Sequence, residues 1–186
     1  MVKKKKNNNK KLSLIIGIIG LVLVVAYLMF AVKNKQLRHE TTGDDVAKIV
    51  IDVHKIYANK ASYWQLSTKS FFGNDILTKY RYKNNQLINA LGKPILIGKG
   101  ENGDVIMPGE KSFDVVYTDL SAEECVSVAA YRFEQPENLG LLQITIVNGE
   151  KSQTFEWGAE DHMLPISRVE AKSFCSSKAK VIWTFE

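Results

Sequence analysis

Few side chains in this sequence could do chemistry: two cysteines, Cys125 and Cys175, and three histidines, His39, His54 and His162. A catalytic cysteine needs a base that lowers its thiol pKa or takes its proton, and none of the three histidines has a sequence context that marks such a base. Two cysteines without a C-x-x-C spacing do not supply the four ligands of a tetrahedral zinc site. Phosphate-binding glycine loops, G-x-S-x-G elbows and H-E-x-x-H helices are all missing. The sequence therefore reads as that of a protein that is not an enzyme and holds no cofactor or metal. What remains is thiol oxidation, and its outcome depends on the compartment in which the cysteines sit.

The compartment is set near the N-terminus. Residues 12–32, LSLIIGIIGLVLVVAYLMFAV, contain no charge. At 1.5 Å per residue such a run makes a rod of roughly 31 Å, which matches the hydrocarbon core of a bilayer. In lipid its backbone must be satisfied internally, so the segment is read as a transmembrane helix. Gly17 and Gly20 thin one side of it and are candidates for helix packing, although i, i+3 is not the GxxxG spacing. Glycines merely tolerated in a membrane helix are the alternative.

Six lysines precede this segment, while only Lys33, Lys35 and Arg38 follow it closely. That asymmetry predicts a cytoplasmic N-terminus, an exported C-terminus and anchoring in the inner membrane. A cleaved secretory signal fits less well, because the apolar core is longer than the usual 7–15 residues and no A-x-A site follows. An uncleaved anchor, or processing on the cytoplasmic side, is expected. In an exported domain the two cysteines most simply pair with each other, and closing their loop contributes about 4 kcal/mol in the chain-entropy model.

The net charge of +5 comes from the N-terminal arm. Residues 1–39 hold nine of the 25 basic residues and no acidic one, so residues 40–186 hold sixteen basic against twenty acidic, a net of −4. The basic balance is a topology signal and gives no reason to expect nucleic acid as a partner. The expected organisation is a basic cytoplasmic arm (1–11), the transmembrane helix (12–32), a helical continuation (33–59) and one exported globular domain (60–186).

After the membrane segment, Thr42-Gly43-Asp44-Asp45 reads as a fresh helix start and a hinge. Val46, Ile49, Val50, Val53, Ile56 and Tyr57 recur at helical spacing, which predicts an amphipathic helix over 44–59 with His54 beside its stripe. His54 is either a pH-sensitive group or a solvated edge histidine. An irregular passage to about Asn89 follows, with one short helix at Ile76, Leu77 and Tyr80. Its aromatics Tyr63, Trp64, Phe71, Phe72, Tyr80 and Tyr82 form either an exposed binding surface or anchors that pin the loop to its own sheet.

Strands are expected at 94–97, 105–107, 113–117, 141–147, 152–157 and 181–185, with Asn148-Gly149 as a hairpin turn. Ser121-x-x-Glu124 and Ser167-x-x-Glu170 read as capping boxes opening short helices. The predicted fold class is α+β, a long N-terminal helix packed on an antiparallel sheet.

In this order the pieces resemble the type IV pilins, especially the type IVb group of toxin-coregulated and conjugative thin pili. Asp52-Val-His-Lys-Ile-Tyr57 with Ala61-Ser-Tyr63 is similar to the end of the pilin helix. Asn89-Ala-Leu-Gly-Lys-Pro-Ile-Leu-Ile97 is similar to the turn leading into the pilin sheet. Phe113-Asp-Val-Val-Tyr117 with Leu120-Ser-Ala-Glu-Glu-Cys125 resembles the strand, helix and first disulfide cysteine. Ala171-Lys-Ser-Phe-Cys175 and Val181-Ile-Trp-Thr-Phe185 resemble the second cysteine and the final strand.

The resemblance implies a pilus subunit whose partners are the membrane, other pilin subunits and the assembly machinery, and it pairs Cys125 with Cys175. The family's leader carries a glycine before the apolar stretch and a glutamate five residues into the mature chain. Here Lys10-Lys11-Leu12-Ser13 has no glycine, and no acidic residue precedes Glu40. That departure points to a minor or assembly-associated pilin-like protein. The alternative is a permanently anchored protein whose exported domain binds a ligand or partner.

Overall fold

The computed structural model describes residues 5–71, 82–84 and 86–186. The chain divides into two units, Met1–Arg38 and His39–Glu186. Helix α1, Lys5–Tyr57, begins in the first. There the window Ile16–Lys33 has a mean hydropathy of 2.4, and none of it is buried. By length and composition it can cross a membrane.

In the second unit α1 turns the stripe Val46, Ile49, Val50, Val53 and Tyr57 inward, each at most 9% exposed. This i, i+3, i+4, i+7 pattern gives one continuous apolar face, which the sheet covers. Residues 42–45 are helical interior, not a new start, so the chain has no interruption at Gly43. Gly43 is buried, and a Cβ there would run into the ring of Tyr131. The glycine permits close approach of a side chain and does not mark a hinge.

After α1 come a one-turn helix α2 (Thr68–Phe71), β1 (Tyr82–Lys83), β2 (Gln86–Ile88), β3 (Pro94–Gly98) and β4 (Phe113–Leu120). Helix α3 (Ala122–Ala129) leads through a 3-10 turn to β5 (Leu141–Asn148) and β6 (Lys151–Glu156). Helix α4 (Arg168–Phe174) and β7 (Ala179–Phe185) close the chain. The strands form one antiparallel sheet in the order β1-β2-β3-β4-β7-β5-β6. The C-terminal strand thus lies between β4 and β5 and joins the two halves.

Trp183 of β7 and Tyr117 of β4 meet edge to face at 5.0 Å in the fully buried centre. The Tyr117 hydroxyl donates to the carbonyl oxygen of Thr42 at 2.9 Å, tying α1 to the sheet. Gly149, at φ 62°, supplies the left-handed conformation that a two-residue hairpin turn requires.

Residues 105–107 are not a sheet strand. Instead Ile106 exchanges backbone hydrogen bonds with the loop, donating to Leu66 and accepting from Gln65. The passage after α1 is more regular than expected, since it contains α2, β1 and β2. The short helix expected at Ile76, Leu77 and Tyr80, like Phe72, lies outside the described residues.

Candidate functional site

Capping chemistry places the two cysteines. Ser121 accepts from the amide of Glu124 while the Glu124 carboxylate accepts from the Ser121 amide at 2.8 Å, so the first capping box is complete. It fixes the start of α3 and puts Cys125 one turn in, fully buried. Ser167 caps α4 by accepting from the Glu170 amide at 3.1 Å. The other half of this second box is replaced, because the Glu170 carboxylate faces His162 Nδ1 at 3.4 Å.

Cys175 ends α4, and its sulfur is bonded to that of Cys125 with the Cα atoms 5.7 Å apart. Arg168 Nη2 donates to Ser127 Oγ at 3.2 Å across the same helix pair. The disulfide closes a region containing the 3-10 turn, β5, β6 and α4. On this region a shallow apolar hollow of about 110 Å³ is lined by Tyr131, Phe133, Leu141, Trp157, Leu164 and Ile166, among others.

The closed region also grips α1. Tyr131 lays its ring over Gly43 and donates its hydroxyl to Asp44 Oδ1 at 2.8 Å. Tyr131 in turn meets Phe133 edge to face at 5.1 Å. Sequence periodicity holds no signal for this contact, because it joins residues 87 and 88 positions apart that share no motif.

Gly17 and Gly20 lie in the first unit, with open space where a Cβ would stand. His54 is half-buried on the flank of α1, with Nε2 3.0 Å from the Glu186 backbone oxygen and its ring edge-on to Phe113. His162 packs edge-on between Phe155 and Phe174. His39 lies on the backbone of α1. The structure brings neither His54 nor His162 to the disulfide.

Among the loop aromatics, Phe71 is buried and Tyr63 packs at a tilt against Phe113, ring centroids 4.7 Å apart, so both anchor the loop to the core. Trp64 is 53% exposed. Burial raises the Tyr57 hydroxyl pKa above its usual value. Burial, and then the negative charge of Glu186, does the same to Tyr63.

Taken together, the packed helix face, the antiparallel sheet and the disulfide-closed margin form one frame. Residues 30–185 match the bundlin family along nearly the whole of this frame. The chain belongs to the bundlin family. Bundlins are type IVb pilins, and the family and its fold are structural and not enzymatic. TcpA, a type IV pilin from Vibrio cholerae El Tor biotype, superposes with a TM-score of 0.50 at 11% identity, covering 82% of this chain and 99% of its own. The type IVb pilin from Salmonella typhi gives a TM-score of 0.46 at 11% identity, over 81% of this chain and 97% of its own. At such identity the likeness to TcpA concerns the fold alone. No curated protein matches the chain.

Proposed function

We propose that this bundlin-family chain is a minor or assembly-associated subunit of a type IV pilus, held in the inner membrane by residues 12–32 and carried into the fibre through that helix. The reading rests on one observation above others: none of the apolar window Ile16–Lys33 is buried. An unburied apolar run of this length needs either lipid or neighbouring helices around it. A pilus subunit uses both in turn. The lysine-rich arm argues for a cytoplasmic N-terminus, with residues 60–186 as the exported domain. The lack of any acidic residue before Glu40 argues against a main fibre subunit.

Without a charge in the segment, helix register in the fibre depends on shape. Gly17 and Gly20 are the positions where another backbone can approach most closely. The variant Gly17→Leu/Gly20→Leu makes the segment more apolar, so membrane insertion is retained. Its incorporation into sheared surface fibres, measured by quantitative immunoblot against the membrane pool, is expected to fall. If the double leucine variant enters fibres as well as the parent, those glycines have no packing role and a permanently anchored binding module becomes the better reading.

A further inference from the structure

We propose that the apolar hollow of the disulfide-closed region is a binding site for a small aromatic monocarboxylate, its ring seated against Trp157 and its carboxylate on Arg132. Every lining residue, from Tyr131 to Ile166, lies between Cys125 and Cys175 in the chain, so one covalent loop holds the whole site. Its floor is made by Leu141, Ile144, Leu164 and Ile166, each at most 6% exposed. Trp157, which is 48% exposed, and the exposed Arg132 stand at the rim.

The walls are fixed before anything binds. The Trp157 indole N–H donates to the Leu141 carbonyl at 2.9 Å, which sets the plane of the ring. After Trp157 the chain returns through backbone bonds, since Glu156 donates to His162 and accepts from Leu164, and this brings Leu164 back to the hollow. Tyr131 is held by its hydroxyl bond to Asp44 and by the Phe133 ring. Walls restrained in this way lose little freedom when a ligand arrives, so less of the contact energy is spent on ordering them.

The same bonds use up the polar groups. The lining side chains carry polar atoms only at Tyr131, Trp157 and Arg132, and the first two are already bonded. Arg132 has no carboxylate partner among the described residues. A well-held water needs several polar partners, so water over this floor is readily displaced by an apolar ring.

Size and charge then define the ligand. A dry cavity of about 150 Å³ holds benzene, whereas drug-sized ligands need roughly 300–1,000 Å³. The open hollow of about 110 Å³ therefore takes one ring and leaves its substituent at the rim. There Arg132 presents a planar fork that matches a carboxylate with two parallel hydrogen bonds. Larger anions are disfavoured, because the exposed Glu134, Glu137 and Glu156 flank lining residues in the chain without joining the lining. An acidic polypeptide or a nucleic acid meets those carboxylates, while a mono-anion no larger than the hollow meets Arg132.

This binding does not depend on whether the chain enters a fibre. Fluorine NMR titration of para-fluorobenzoate against the detergent-solubilised full chain tests it, with the neutral para-fluorobenzamide alongside. Saturable binding of the acid is expected with a Kd of roughly 0.1–10 mM, the range open to a ligand of a single ring. The amide should bind about tenfold more weakly. Arg132→Gln, at an exposed position outside the core, should weaken the acid about tenfold and leave the amide unchanged. Trp157→Ala should weaken both, with emission from the buried Trp183 reporting that each variant is folded. No saturable binding, equal affinity of the parent for acid and amide, or an Arg132→Gln variant that keeps the preference for the acid would each overturn the inference.

Discussion

Replacing Gly43 by alanine sets two effects of opposite sign against each other. In a helix interior alanine is favoured over glycine by about 1 kcal/mol, so propensity alone predicts a more stable protein. Against this, the new Cβ points into the ring face of Tyr131. Forcing a packed ring aside costs roughly 1–3 kcal/mol. The displaced ring also loses its 2.8 Å hydrogen bond to Asp44. That bond is exposed, so its loss adds about 1 kcal/mol. Clash and lost bond together outweigh propensity, and Gly43→Ala should destabilise the fold by about 1–3 kcal/mol.

Urea unfolding of the detergent-solubilised full chain, followed by tryptophan fluorescence, measures this, because Trp183 is fully buried in the centre of the core. In a Tyr131→Ser background the obstacle is gone, and Gly43→Ala should become stabilising by about 1 kcal/mol. The sign reversal is the diagnostic result. If Gly43→Ala stabilises the parent, the ring does not sit on the helix and the proposed grip of the disulfide-closed region on α1 is wrong.

Two further outcomes are expected. Thiol labelling of the native protein should find neither Cys125 nor Cys175 reactive, and replacing either should lower stability by about 4 kcal/mol, given the separation of 50 residues. Tyr57 and Tyr63 should ionise above the usual tyrosine range in an ultraviolet titration. Because the fold favours their neutral forms, their contribution to stability is intact below pH 10 and is lost as pH rises past it.

Local signals in the sequence were accurate wherever one residue's own chemistry sets the backbone. The Ser121–Glu124 box, the Asn148-Gly149 turn and the alternation into Phe185 all correspond to elements of the structure. They failed where a distant partner decides. Gly43 and the two aspartates after it have the composition of a helix start, yet Tyr131 and Tyr117 hold that turn as continuous helix.

Glu170 has the spacing of a capping residue, but His162 draws its carboxylate away. Val105-Ile106-Met107 has strand composition, and its hydrogen bonds go to a loop whose Gln65 takes a positive φ of 67°. The disulfide was legible because only two cysteines are present.

The central claim, that this chain leaves the membrane to enter a fibre, is tested most directly by mass spectrometry of its mature N-terminus in membrane and sheared surface fractions. The account predicts the chain in the sheared fraction, shortened by loss of the basic arm that precedes residue 12. A chain found only in membranes, with Lys3–Lys6 still attached, would contradict it.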